Sequence, residues 1–180
     1  MILVLGPSGC GKSTLVKVLS SFLSSNKLKS SSKNDLNEFE ELPSTVPTIG
    51  TNITTVNIGK RNMLELREVG GSMVPIWKSY YKDARGFIFI IDASNSYQIS
   101  CASIQLQKVL DSPDTEGKPV LVVFNKTDIP TKSNLNEMKY LSQLDEISRN
   151  SSQVISVVET SCREKNRFSD IIKWLQTKKH

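Results

Sequence analysis

The stretch Gly6-Pro7-Ser8-Gly9-Cys10-Gly11-Lys12-Ser13 matches G-x-x-x-x-G-K-[ST]. Glycines let such a loop wrap an anion, so that several backbone N–H groups converge on it at the positive end of the following helix. Gly6, Ser8, Gly9, Cys10 and Gly11 supply the loop. Lys12 would reach the β- and γ-phosphates of a nucleotide, the Ser13 hydroxyl would ligate Mg²⁺, and Thr14 is placed to help hold the nucleotide. The motif requires a strand before it and a helix after it. Ile2 to Leu5 reads as a buried strand, and Leu15, Val18, Leu19 and Phe22 have helical spacing. The predicted chemistry is phosphate binding.

A second motif reads the base. Asn125-Lys126-Thr127-Asp128 follows the apolar run Pro119 to Phe124, at a strand C-terminal end where α/β folds place ligands. A carboxylate at Asp128 can accept from N1–H and the exocyclic N2 amine of guanine, a pair that adenine does not offer. The Lys126 stem can lie along the base face while Asn125 braces neighbouring loops. Glu159-Thr160-Ser161-Cys162-Arg163, after the last predicted strand, would complete the pocket, with Ser161, Cys162 and Arg163 near the base and the Cys162 N–H facing the guanine O6. The implied ligands are GTP or GDP with Mg²⁺.

These residues need a scaffold, and the apolar pattern supplies one. Strands are predicted at Ile2–Leu5, Asn52–Ile58, Met63–Arg67, Gly86–Asp92, Pro119–Phe124 and Val154–Val158. The runs at Gly86–Asp92 and Pro119–Phe124 are continuously apolar, as in parallel strands covered on both faces. Ile99, Ala102, Ser103, Leu106, Val109 and Leu110 mark one helical face. Phe168, Ile171, Ile172 and Leu175 mark a closing helix. The expected fold class is α/β, with a mostly parallel six-stranded sheet and helices on both faces. From Ser24 to about Thr45 the chain is rich in Ser, Lys and Asn and lacks periodicity, which reads as a surface insertion within a single domain spanning residues 1–180. A partner-binding or phosphorylated loop is the sharper reading of it.

Composition narrows the chemistry. The 180 residues carry 23 Lys+Arg against 18 Asp+Glu, a net +5, with 38% hydrophobic residues. That is one soluble domain with its own core. The basic residues are scattered without aromatic interleaving, so nucleic acid is not an expected partner. No apolar run of membrane-spanning length occurs. Cys10, Cys101 and Cys162 form neither a disulfide framework nor a metal clip, which suits a reducing, cytoplasmic compartment. Cys10 reads as a tolerated loop side chain, with redox sensitivity as the sharper alternative. The single histidine, His180, ends the sequence, so chemistry falls to amides, lysine, hydroxyls, carboxylates and a metal ion.

Taken in order, these motifs resemble the Ras-like small GTPases, and within them the Arf and Arf-like branch, over nearly the whole chain. Val46-Pro47-Thr48-Ile49-Gly50 resembles that branch's first switch, which implies that Thr48 closes on Mg²⁺ and the γ-phosphate. Glu68-Val69-Gly70-Gly71 resembles its double-glycine second switch, which implies that Gly71 senses the γ-phosphate. Pro75, Trp77, Tyr80, Tyr81 and the sequence Asn125 to Pro130 continue the likeness. The resemblance implies a Ras-like three-layer P-loop fold. It also implies a GTP/GDP switch whose loops relax on hydrolysis, with protein effectors and regulators as partners.

Departures from the family pattern are informative. Glu68 stands where the family has aspartate, so its hold on Mg²⁺ through water is altered. Ser72 follows Gly71 where the family has the glutamine that orients the attacking water, which predicts slow intrinsic hydrolysis. The catalytic set is therefore read as Lys12, Thr48, Gly71 and Ser72. Two of the branch's three effector-facing aromatic positions are Thr51 and Arg67, and only Tyr80 is aromatic. Arg67 is open to two readings, a solvated strand-end charge or a partner contact, and Trp77 reads as packing. Ile2 and the C-terminal Lys-Lys-His180 encode no lipid anchor, so membrane contact is expected only through a protein partner, and the domain is expected to be a monomer. Two rivals remain at this level. One is a GTP-binding interaction module with negligible hydrolysis. The other is a P-loop kinase, which would need an arginine-rich lid and would leave the first switch and the guanine tetrapeptide without a role.

Overall fold

The computed structural model describes residues 1–24, 42–59, 62–131 and 134–178. Most of the predicted insertion, 25–41, lies outside the described residues. The strands are β1 (Ile2–Leu5), β2 (Thr51–Asn57), β3 (Met63–Val69), β4 (Gly86–Asp92), β5 (Val120–Asn125) and β6 (Ile155–Glu159). The helices are α1 (Lys12–Ser24), α2 (Val74–Trp77), α3 (Ser96–Leu110), α4 (Leu135–Leu141), α5 (Leu144–Asn150) and α6 (Phe168–Thr177).

One six-stranded sheet has the order β2-β3-β1-β4-β5-β6. All neighbours are parallel except β2 and β3, which pair antiparallel from Thr51 opposite Val69 to Asn57 opposite Met63. Every residue of β1, β4 and β5 is buried, because side chains alternate between two covered faces. Ile2, Val4, Ile88, Ile90, Leu121 and Val123 face one core with α1 and α6. Leu3, Leu5, Phe87, Phe89, Val122 and Phe124 face the other, under Trp77 and α3. The α3 positions expected on the core face, Ile99, Ala102, Ser103, Leu106, Val109 and Leu110, are all buried.

After β1 the chain runs to the edge strand β2 and back to β3 on one side, then crosses to β4 on the other side of β1. That reversal opens a crevice at the strands' C-terminal ends, where α/β sheets bind ligands. The phosphate-loop motif, both switch segments and the guanine tetrapeptide all lie in the loops and element ends at this edge of the sheet. Trp77 locks the second switch beside them. Its indole N–H donates to the Gly70 carbonyl at 3.1 Å, and its ring meets Phe89 edge-on at 6.3 Å, a buried packing role in keeping with the expectation.

Candidate nucleotide-binding site

The loop after β1 has its amides aimed by tight local geometry. Gly11 sits at φ +96°, and a Cβ there would come within 2.3 Å of the Asn125 Nδ2. Only glycine lets the loop lie this close to its neighbour. Asn125, buried at the end of β5, donates from that Nδ2 to the Cys10 carbonyl at 2.9 Å. Its Oδ1 accepts from the Cys162 thiol at 3.3 Å. Lys12 opens α1 and is almost fully buried. Its ammonium donates to the carbonyls of Gly6 at 3.0 Å and Pro7 at 2.9 Å, which holds a positive charge in the mouth of the loop.

Three oxygens gather beside Lys12. Ser13 Oγ lies 3.0 Å from Thr48 Oγ1 and donates to Glu68 Oε1 at 2.5 Å, and Thr48 Oγ1 also donates to Glu68 Oε1, at 2.9 Å. The carboxylate expected to act through a water is thus in direct contact with both hydroxyls. Its second oxygen, Oε2, is buried without a hydrogen-bond partner among the described residues. An oxygen-only set with one partnerless buried carboxylate oxygen suits Mg²⁺, a hard cation that takes oxygen ligands. Ser13, Thr48 and Glu68 would hold it.

The two switch segments touch each other and the phosphate loop. The Gly70 N–H donates to the Gly50 carbonyl at 2.9 Å. A Cβ on Gly71 would lie 2.2 Å from the Ser8 backbone nitrogen, so the second switch rests directly on the loop. Together they line a cleft of about 340 Å³. Ser8, Gly9, Gly11, Lys12, Ser13 and Thr14 line it from the phosphate-loop motif. Thr45 to Ile49 line it from the first switch and Glu68, Gly71 and Ser72 from the second, with Lys126 beside Gly9. Ser72 is exposed at this lining.

Lys126 joins this cleft to the base motif. It takes a left-handed backbone (φ +65°), and its ammonium donates to the Gly9 carbonyl at 2.7 Å and pairs with Asp92 at 2.6 Å. Asp128 is held in place from the last loop. Its Oδ1 accepts from Ser161 Oγ at 2.6 Å, and its Oδ2 lies 3.6 Å from the Arg163 guanidinium. Ser161 and Cys162 are buried, while Arg163 is largely exposed. Asn125, Asp128, Ser161, Cys162 and Arg163 are not part of the phosphate cleft lining. They form a second cluster, joined to the loop through the contact of Asn125 with Cys10.

Three residues of this region are not among the site residues expected from sequence. Asp92 pairs with Lys126 and accepts from the Ser94 N–H at 2.9 Å and the Ser94 hydroxyl at 2.6 Å. A carboxylate ending an otherwise apolar strand, in register with Asn125, was the available clue. Asn166 accepts from the Ser161 N–H through its side chain and from the Thr160 hydroxyl through its carbonyl. Gln98, in the first turn of α3, donates to the Ser8 carbonyl at 3.1 Å.

Burial pushes the Cys10 thiol up to about 11 and the Cys162 thiol up to about 12. Neither is a thiolate near neutral pH, so the redox-sensitive reading of Cys10 has no electrostatic support. Arg67 is not a freely solvated charge. Its guanidinium lies over the Tyr80 ring, 5.2 Å from the centroid, a cation–π contact.

The sheet order and this cleft define a P-loop α/β domain. The family model of the ADP-ribosylation factor family matches residues 1–179, and the chain belongs to that family, whose small GTPases bind guanine nucleotides and hydrolyse GTP. It is 38% identical over 176 residues to ADP-ribosylation factor-like protein 16 of Homo sapiens, covering 98% of this chain and 84% of that one. It is 28% identical over 178 residues to ADP-ribosylation factor-like protein 3 of Saccharomyces cerevisiae, covering 97% and 82%. The Arl6 BBS3 small GTPase of Trypanosoma brucei, solved with the nucleotide analogue GppNp, shares the fold with a TM-score of 0.74 at 17% identity, over 98% of this chain and 94% of that one. Among the described residues no helix is long and apolar enough to cross a membrane.

Proposed function

We propose that this domain is a guanine-nucleotide switch whose first and second switch segments close on one Mg²⁺·GTP in the cleft, and that it hydrolyses GTP slowly. The observation that carries the reading is the meeting of Ser13, Thr48 and Glu68 within 3.0 Å of one another, with Gly71 against Ser8. They come from the phosphate-loop motif (Ser8, Ser13), the first switch (Thr48) and the second switch (Glu68, Gly71), three segments that line one cleft.

The chain's own groups divide the work. The loop amides and Lys12 bind phosphate oxygens, with Lys12 exchanging its bonds to Gly6 and Pro7 for bonds to the ligand. The Gly71 N–H is the second-switch donor for the γ-phosphate, and Thr48 brings in the first switch. Ser13 and Thr48, beside Glu68, would hold Mg²⁺, which when bound would supply neutralisation of phosphate charge. Asp128, fixed by Ser161 and Arg163, reads the guanine edge. The Lys126 stem covers the base, and Asn125 keeps the base loop tied to the phosphate loop. At Ser72 the side chain is too short to orient an attacking water as glutamine does, so turnover is slow and depends on a group supplied by a regulator. The effector face presents Thr51 and the stacked Arg67–Tyr80 pair, a polar surface that suits a partner with acidic groups.

The test is the nucleotide that copurifies, identified by mass spectrometry, followed by a turnover assay with Mg²⁺ in the presence and absence of cell extract. GDP or GTP is expected, with turnover raised by extract. Copurifying ATP, or preferential ATP binding, would overturn the reading.

A further inference from the structure

We propose that Glu68 is a direct ligand of the site's divalent cation rather than one acting through a water, so that the cation takes three protein oxygens, Ser13 Oγ, Thr48 Oγ1 and a Glu68 carboxylate oxygen. This rests on the cleft being a Mg²⁺·guanine-nucleotide site.

Magnesium binds oxygens at about 2.0–2.1 Å in a near-ideal octahedron, which places adjacent ligand oxygens about 2.9 Å apart. The three oxygens here form a triangle with edges of 3.0, 2.9 and 2.5 Å. Two edges already have the length of an octahedral edge. The third, from Ser13 to Glu68, is a charge-assisted hydrogen bond that opens by a few tenths of an ångström when the Ser13 hydroxyl keeps its proton but rotates it away and both oxygens turn lone pairs to a cation.

The backbone keeps the carboxylate where it is. Glu68 lies within β3, in register with Val4 of β1 on one side and Asn52 of β2 on the other, so its Cα cannot withdraw to make room for a bridging water. Relative to aspartate, the extra methylene advances the carboxylate by roughly 1.5 Å, one carbon–carbon bond. That is most of the span a water would fill. Glu68 is 2% exposed, and its Oε2 is without a hydrogen-bond partner among the described residues. A buried carboxylate charge is costly, and a cation on its other oxygen, Oε1, offsets that cost. As the anionic member of the protein's ligand set, Glu68 strengthens cation binding most where the γ-phosphate is missing, in the GDP complex.

Mn²⁺ substituted for Mg²⁺ provides the readout. The broadening of its electron paramagnetic resonance lines in ¹⁷O-enriched water counts the waters on the bound ion. In the GDP complex the parent protein should carry one water fewer than Glu68→Asp, and titration should show Mn²⁺ bound at least ten-fold more weakly by Glu68→Asp. Fluorescent GDP binding in excess chelator, with thermal melting of both proteins, shows that the variant folds and holds nucleotide. Equal water counts in two nucleotide-loaded proteins overturn the direct ligation and leave the switch reading intact. Failure of the parent protein to bind any guanine nucleotide overturns both.

Discussion

Replacing Asn125 with alanine tests whether the base loop and the phosphate loop are one mechanical unit. The substitution removes the donor to the Cys10 carbonyl at 2.9 Å and the acceptor for the Cys162 thiol at 3.3 Å. The side chain is 1% exposed, so water does not readily replace what is lost. A neutral hydrogen bond contributes about 0.5–1.5 kcal/mol, and a buried carbonyl left unpartnered costs about 1–3 kcal/mol. The thiol contact is weak, so the total is about 2–3 kcal/mol. Since 1.4 kcal/mol is a factor of ten, GDP should dissociate roughly 30- to 140-fold faster if the cost falls on the loaded state. Any share borne by the fold lowers the melting temperature, by about 2–4 °C for each kcal/mol at this chain length. Stopped-flow release of a fluorescent GDP and a melting curve divide the two. Asn125→Asp is the control, because it keeps the shape while placing an oxygen opposite the Cys10 oxygen, and it should fail as badly as alanine. GDP release within three-fold of the parent for both variants, with unchanged melting, would refute the bracing argument.

The remaining predictions concern the cleft and the thiols. Ser72→Gln should raise single-turnover GTP hydrolysis at least ten-fold, since it restores a side chain long enough to position water; an unchanged rate removes the basis for assigning slow turnover to Ser72. Asp128→Asn should weaken GTP binding by about two orders of magnitude and shift preference toward a xanthine nucleotide, because the amide nitrogen donates where the carboxylate oxygen accepted; intact GTP affinity would remove the guanine assignment. Iodoacetamide at pH 8 should modify exposed Cys101 and spare buried Cys10 and Cys162. Those two thiols are raised from their ordinary value of 9.0 to about 11 and about 12. The folded state therefore keeps protons that the unfolded chain releases, and stability should fall as pH rises from about 9 toward 12. Equal labelling of all three cysteines, or a urea midpoint that does not move between pH 8 and 10, would contradict the burial argument.

Much of the scaffold is legible because it is written in local apolar pattern. The continuous runs in β1, β4 and β5 and the 3.6-residue spacing in α3 and α6 need no knowledge of distant contacts to be read. The region of α4 and α5 is different. Their buried residues Met138, Leu144 and Ile147 fall on two seven-residue helices separated by Gln143 in a left-handed conformation. No single period runs through them. The capping box of Asn134 and Glu137 is the signal that marks where this region begins. The short helix α2 is likewise too brief for periodicity, and Trp77 holds it through the Gly70 carbonyl and Phe89.

The sequence by itself determined the chemical inventory: a glycine-rich loop with Lys12 and Ser13, a tetrapeptide ending in Asp128, and a serine at position 72. Motifs of this kind are covalently short, so their internal geometry follows from residue type and spacing. The tertiary structure alone decided how the pieces meet. Glu68 reaches Ser13 across 55 residues of chain, Lys126 reaches Asp92 across 34, and Asn125 reaches Cys10 across 115. Contacts at such separations depend on sheet order and strand register. Changing register by one residue would turn Glu68 to the opposite face of β3, and the oxygen triangle with Ser13 and Thr48 would not form.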